Sequence, residues 1–202
     1  MKVMQEEVAK NLYYDRTFSS EAAKIGPGEY YFTDQNMLIV TVLGSCISAC
    51  IRDSITGIGG MNHFMLPEGS HADFDSPVSE SMRYGNYAME VLINQLMRNG
   101  ARRENLEAKI FGGGNVLRSF TTNMVGDRNA VFVKKYLKDE GIKVTSEDLL
   151  DVFPRKVYYF PKTGKVMVKK LKQLNNYTLV KREEAYSSEL KTNDVGGDVD
   201  LF

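Results

Sequence analysis

Net charge is missing from this chain: 26 lysines and arginines are matched by 26 aspartates and glutamates. That balance argues against a globally basic nucleic-acid binder and leaves only local basic patches to consider. Histidine is scarce, with His63 and His71 alone, and so is cysteine, with Cys46 and Cys50 alone. No zinc-type ligand spacing can be built from that set, so no metal is expected. On a strand the two cysteines would stand ~13 Å apart, too far for a disulfide, and one helical turn apart they still make no obvious bridge. Two reduced thiols in a cytoplasmic protein are the expectation. Long apolar runs are also lacking. The most apolar stretch, Met37–Ile51, is 15 residues interrupted by Thr, Gly and Ser, whereas a bilayer span needs ~20. It reads as buried sheet. Met1–Lys10 carries Glu6 and Glu7 with no apolar centre, so neither a signal peptide nor membrane insertion is expected.

What is present suits one soluble α/β domain. The length is 202 residues, with 43% apolar and 26% charged residues, close to globular averages. Leu38–Leu43 and Cys46–Ile51 read as strands separated by Gly44-Ser45, and Ile58–Leu66 as the next, stopped by Pro67. Ser76 and Pro77 look like the start of a helix whose apolar face is Val78, Met82, Gly85, Met89, Leu92 and Leu96, ended by Asn99-Gly100. Leu106–Phe111 reads as a strand, Asp127–Gly141 as a second helix, and Ile142–Thr145 as a further strand. Lys156–Phe160 and Lys165–Leu171 flank Pro161-Lys162-Thr163-Gly164 as a hairpin. Residues 1–25 form a lead segment with Tyr13, Tyr14 and Phe18 to pin it. From 183 to 202 acids dominate, and disorder is expected.

With so few candidates the chemistry narrows. Cys46 follows a Gly-Ser break where the backbone can turn sharply and aim free N–H groups at a carbonyl. A thiol becomes a nucleophile when a neighbouring imidazole or amide dipoles favour its thiolate. His63 follows 17 residues later, after turn chemistry at Asp53–Gly57, so adjacent strands would bring it beside the thiol, with Asn62 and Thr41 to hold the ring. The competing reading is a small buried cysteine and a satisfied core histidine. His71 is a rival base, but its polar loop suggests a solvated side chain. Cys50 lies among Ile47, Ala49 and Ile51 and reads as packing.

Leu43-Gly44-Ser45-Cys46 and Gly59-Gly60-Met61-Asn62-His63-Phe64-Met65-Leu66-Pro67 resemble the CheD family of chemoreceptor glutamine deamidases. Further likeness lies in Pro27-Gly28-Glu29-Tyr30, Tyr84-Gly85, Ala108–Gly113 and Gly126-Asp127-Arg128-Asn129, so that it runs from about residue 26 to 171. The resemblance implies a layered α/β sandwich with a mixed sheet, shared with bacterial toxin Cys–His deamidases, over residues 26–182. It also implies Cys46 as nucleophile, His63 as base, and a threonine completing the set. Thr41 is the candidate, although Val40 competes for the inward-facing register. Gly44, Ser45, Asn62, Gly112 and Gly113 would line the oxyanion and substrate site. The implied reaction is hydrolysis of glutamine side-chain amides, without cofactor or metal. The implied partners are the helical cytoplasmic domains of chemoreceptors and a CheC-type phosphatase. A non-catalytic binding module, and another Cys–His acyl-transfer enzyme such as a protease or methylesterase, are the alternatives.

Three features have plainer readings. Gly112-Gly113-Gly114-Asn115 lacks the Lys-Ser/Thr ending of a phosphate loop, so close backbone approach is the better account. The stretch Arg155–Arg182 holds nine bases and no acid. Lysines guarding a solvated sheet edge explain it best, with electrostatic steering of acidic receptor helices second and RNA third. Asp148–Arg155 departs from the glycine-rich family pattern and is expected to pack or recognise a partner in its own way.

Overall fold

Turn chemistry cuts the chain into short strands. In order they are Glu7–Val8 (β1), Asn11–Asp15 (β2), Ser20–Lys24 (β3), Glu29–Thr33 (β4), Leu38–Leu43 (β5), Ile47–Asp53 (β6), Gly59–His63 (β7), Leu106–Gly112 (β8), Lys143–Leu149 (β9), Arg155–Phe160 (β10) and Lys165–Lys170 (β11). The helices are Glu80–Arg98 (α1), Val125–Asp139 (α2) and Tyr177–Thr192 (α3). The computed structural model describes residues 7–66, 80–115, 125–172 and 177–192. Ser76, Pro77, Val78 and His71 lie outside them.

One sheet has the order β1-β4-β7-β6-β8-β9 and the other β11-β10-β5-β3-β2. Both are mixed: β1 with β4, β8 with β9, and β3 with β5 run parallel, the remaining pairs antiparallel. Helices α1 and α2 cover one face of the first sheet, and the second sheet lies against its other face through β5 and β7. The result is the layered sandwich that the sequence suggests. With both faces covered, β7 is buried throughout and β6 at every residue but Arg52, which suits the small and apolar residues from Ile47 to Ile51.

The helices pack as their periodicity requires. Met89, Leu92 and Leu96 of α1 and Ala130, Val133 and Leu137 of α2 are buried. At Gly85 a Cβ would run into Phe132 and Leu66, so that glycine is what lets the two helices close over the sheet. The α1 terminus reverses at Gly100, where φ is +100°.

Two segments differ from the sequence expectation. Residues 11–24 are not an appended lead but β2 and β3, a hairpin that completes the second sheet. Of its aromatics, Phe18 packs on Tyr158 and Phe160 with ring centroids 5.0 and 5.5 Å apart, while Tyr14 is exposed. The acidic segment does not begin as a frayed tail at 183 either. That boundary falls inside α3, and Glu183 is only 2% exposed. A periodic stripe of Glu183, Tyr186 and Leu190, all buried, offset the polar composition that suggested disorder.

Candidate active site

The break at Gly44-Ser45 carries β5 in the second sheet across to β6 in the first. Cys46 sits in that crossover, and every carbonyl of the turn is bonded. Gly114 N–H donates to Gly44 O at 2.7 Å, Asn129 Nδ2 to Ser45 O at 2.9 Å, and Gly113 N–H to Cys46 O at 2.8 Å. The approach is so close that a Cβ on Gly112, where φ is +114°, would overlap the Cys46 carbonyl. Gly112 and Gly113 therefore brace the Cys46 turn through backbone contact. Asn129 also accepts from Leu66 N–H at 2.9 Å, tying the turn to the segment that follows β7.

With its carbonyls fixed, the turn aims three successive N–H groups the other way, at the carboxylate of Glu183. One oxygen accepts from Gly44 N–H at 2.8 Å and Cys46 N–H at 3.4 Å. The other accepts from Ser45 N–H at 2.9 Å and Ser45 Oγ at 2.7 Å. Consecutive amides converging in this way form a concave site for negative charge. α3 is held there by Tyr186, which lies 3.3 Å from the position of a Cβ on Gly28 and bonds through its hydroxyl to that of Tyr84.

His63 reaches the same region through register. Phe64, just past β7, exchanges both backbone hydrogen bonds with Ile47 of β6, at 2.8 and 3.0 Å. Continued one step beyond that bridge, the same register would set Cys46 opposite Met65 and make His63 its diagonal neighbour, a relation that in regular sheet separates Cα atoms by ~7–8 Å. Across the interlayer space, Thr41 Oγ1 lies 2.8 Å from His63 Nδ1 and 2.9 Å from Ile25 O. A carbonyl only accepts, so the single hydroxyl proton goes to Ile25 and the imidazole must donate from Nδ1. The lone pair is thereby placed on Nε2, which is buried without a hydrogen-bond partner among the described residues. Thr41, not Val40, faces inward. Val40 packs with Leu38 and Ala22 on the outer face.

The ionisation of both groups follows from burial. Desolvation, then the charge of Glu183 and its hydrogen bond to the thiol, push Cys46 well above an ordinary cysteine. Desolvation, then the charge of Arg182, lower His63 to about 3. With α3 in place, the pair rests as thiol and neutral imidazole.

Asn62 is the predicted site residue that the structure turns away. Adjacent strand residues point to opposite faces, so Asn62 faces α1 when His63 faces β5. Its Oδ1 accepts from Ala49 N–H at 2.9 Å and its Nδ2 donates to Ala88 O at 3.1 Å. Cys50 is buried in the core, with its thiol raised by desolvation. Arg155 does not belong to a surface patch. It is fully buried, paired with Asp148 at 2.9 Å and bonded to the Leu150 carbonyl, which shapes the Asp148–Arg155 loop. Lys165, Lys169 and Lys170 line β11, which is the edge of its sheet. Asp127 lies in the first turn of α2 and receives a bond from Asn115 Nδ2 at 3.3 Å. No cluster suited to a metal ion occurs among the described residues, and none of their helices is long and apolar enough to cross a membrane. Glu183 was missed from sequence. Its spacing to Tyr186 and Leu190, at three and seven residues, was the available signal.

Comparison with known proteins gives one consistent result. The family described as CheD chemotactic sensory transduction matches residues 65–170, a span that starts just after His63. A protein of Thiobacillus denitrificans named probable chemoreceptor glutamine deamidase CheD is 70% identical over 199 residues, covering 98% of each chain. Proteins of the same name from Methylobacillus flagellatus, 68% identical over 199 residues and 98% of each chain, and Herminiimonas arsenicoxydans, 67% identical over 198 residues with 98% of this chain and 97% of that one, are similar too. A crystal structure of Bacillus licheniformis hypothetical protein YfiH aligns with TM-score 0.42 at 10% identity, covering 74% of this chain and 65% of that one, a likeness too loose to inform function.

Proposed function

The chain belongs to the CheD family, and on that premise we propose that it is a cytoplasmic deamidase converting glutamine side chains of chemoreceptor helical domains to glutamate in chemotactic adaptation. The observation that carries this reading is the pairing of a preformed anion-binding turn at Cys46 with an imidazole whose free lone pair is set by Thr41.

The substrate carboxamide oxygen takes the place now held by a Glu183 oxygen. His63 Nε2 accepts the thiol proton, and Cys46 Sγ bonds to the carboxamide carbon. The Gly44 and Cys46 N–H groups, which meet one Glu183 oxygen, hold the resulting oxyanion. One such donor is worth about 10²–10³ in rate in other enzymes. The C–N bond then breaks as His63 returns the proton to nitrogen, so ammonia leaves and a thioester remains. His63 next takes a proton from water, hydroxide adds to the thioester carbon, and the C–S bond breaks. Sγ recovers its proton from His63 and glutamate is released.

The occupied anion site gives footing to a second reading, a non-catalytic module that acts on signalling through a CheC-type phosphatase. Mass mapping of receptor glutamines after incubation with wild type and Cys46→Ala separates the readings. Glutamine-to-glutamate conversion lost in the variant is the expected result. Signalling effects that survive Cys46→Ala, without conversion by wild type, would overturn the enzymatic reading, and shortened receptor fragments would point to a protease.

A further inference from the structure

Glu183 presents, from a helix, the same group that deamidation of a glutamine produces: a γ-carboxylate with one oxygen on the Gly44 and Cys46 N–H groups and the other on Ser45. Three further observations bear on what α3 does there. The contact is specific, because Glu183 meets four donors of the Cys46 turn, three N–H groups and the Ser45 hydroxyl. The contact is made across the sequence, 137 to 139 residues away from the turn, so no local backbone requirement explains it. And the docked stripe is short: Glu183, Tyr186 and Leu190 are buried, whereas Lys181, Arg182, Glu184, Ala185, Ser188 and Glu189 are exposed.

We infer that α3 is an internal product mimic: it docks in the groove that receives the substrate helix, places Glu183 where the product carboxylate would lie, and keeps the enzyme closed until it is displaced. This rests on the deamidase reading for the meaning of the groove, though not for the existence of the closure. The groove then reads three positions of an incoming helix. The reacting glutamine falls where Glu183 lies, an aromatic ring three residues on covers Gly28 and meets Tyr84, and an aliphatic side chain seven residues on fills the place of Leu190. The site discriminates by charge as well. Three N–H groups and a hydroxyl suit an anion, so a neutral carboxamide at position 183 binds the turn less firmly than the native carboxylate. Closure of this kind lowers activity by the fraction of molecules held shut.

The experiment uses the full chain and two readouts: the rate of Cys46 alkylation by iodoacetamide, followed by peptide mapping, and the conversion of receptor glutamines. Glu183→Gln is expected to speed alkylation of Cys46 roughly tenfold or more and to raise receptor conversion in parallel. Tyr186→Ala, which loosens α3 while leaving the carboxylate, is expected to do the same in smaller measure. Unchanged Cys46 alkylation in both variants, with circular dichroism and melting showing a native fold, overturns the closure. Faster alkylation together with slower receptor conversion overturns the product-mimic role, since Glu183 would then be assisting the reaction. Faster alkylation with no conversion by any form, wild type included, leaves the closure standing and removes the deamidase reading instead. If Glu183→Gln fails to fold, Tyr186→Ala decides by the same two readouts.

Discussion

Thr41 and His63 join the two sheets of the sandwich through a 2.8 Å hydrogen bond between Oγ1 and Nδ1, fully inside the protein. Because Thr41 spends its only proton on Ile25 O, this one contact determines which imidazole nitrogen carries hydrogen. A threonine five residues before the cysteine thus acts on a histidine 22 residues after itself.

Thr41→Val tests that relation. The isosteric change removes the acceptor, so Nδ1–H loses its partner and the tautomer with a lone pair at Nε2 is no longer enforced. Catalysis is expected to fall about 10²-fold in kcat, with KM little changed. The lost buried bonds should cost about 1–3 kcal/mol of stability, read from urea denaturation. Full activity in Thr41→Val would remove Thr41 from the proposed catalytic set.

Asn62→Ala should give the opposite split. Its amide is committed to Ala49 and Ala88 on the α1 side, so the variant is expected to lose about 1–3 kcal/mol while the folded fraction keeps its kcat. A fall in kcat at unchanged stability would return Asn62 to the active site.

Gly112→Ala addresses the brace. A side chain there is strained at φ +114° and overlaps the Cys46 carbonyl, so the Cys46 turn must shift or the sheet must open. Destabilisation on the order of 3 kcal/mol is expected, together with loss of deamidation. Native melting and full activity in this variant would show that the turn tolerates displacement.

Acid should weaken the fold through His63. Its folded value of about 3 lies below the ordinary 6.5, so between those limits the unfolded chain binds the proton that the folded chain refuses. Stability contributed by this group is fully present above about pH 6.5 and is lost as pH falls toward 3. Asp53 and Asp151, both lowered, change stability in the same direction. The informative quantity is therefore the difference between wild type and His63→Gln. Urea midpoints of the variant should fall less steeply from pH 7 to pH 4, and parallel curves would contradict a buried neutral imidazole.

Local chemistry alone determined much of this protein. Gly44-Ser45 broke the apolar run, Pro161–Gly164 made a hairpin, the three-and-four spacing placed the buried faces of α1 and α2, and the scarcity of histidine and cysteine left Cys46 and His63 as the main candidates. These features depend on backbone propensity and periodicity over a few residues, which a sequence displays directly. Tertiary structure decided the rest. Alternation along a strand says that Asn62 and His63 face opposite ways, and likewise Val40 and Thr41, but which layer covers each face is set by sheet order. Glu183 depended most on that order, since its partners lie more than 130 residues away and a polar, acidic segment acquires a buried stripe only when another surface supplies donors for its carboxylate.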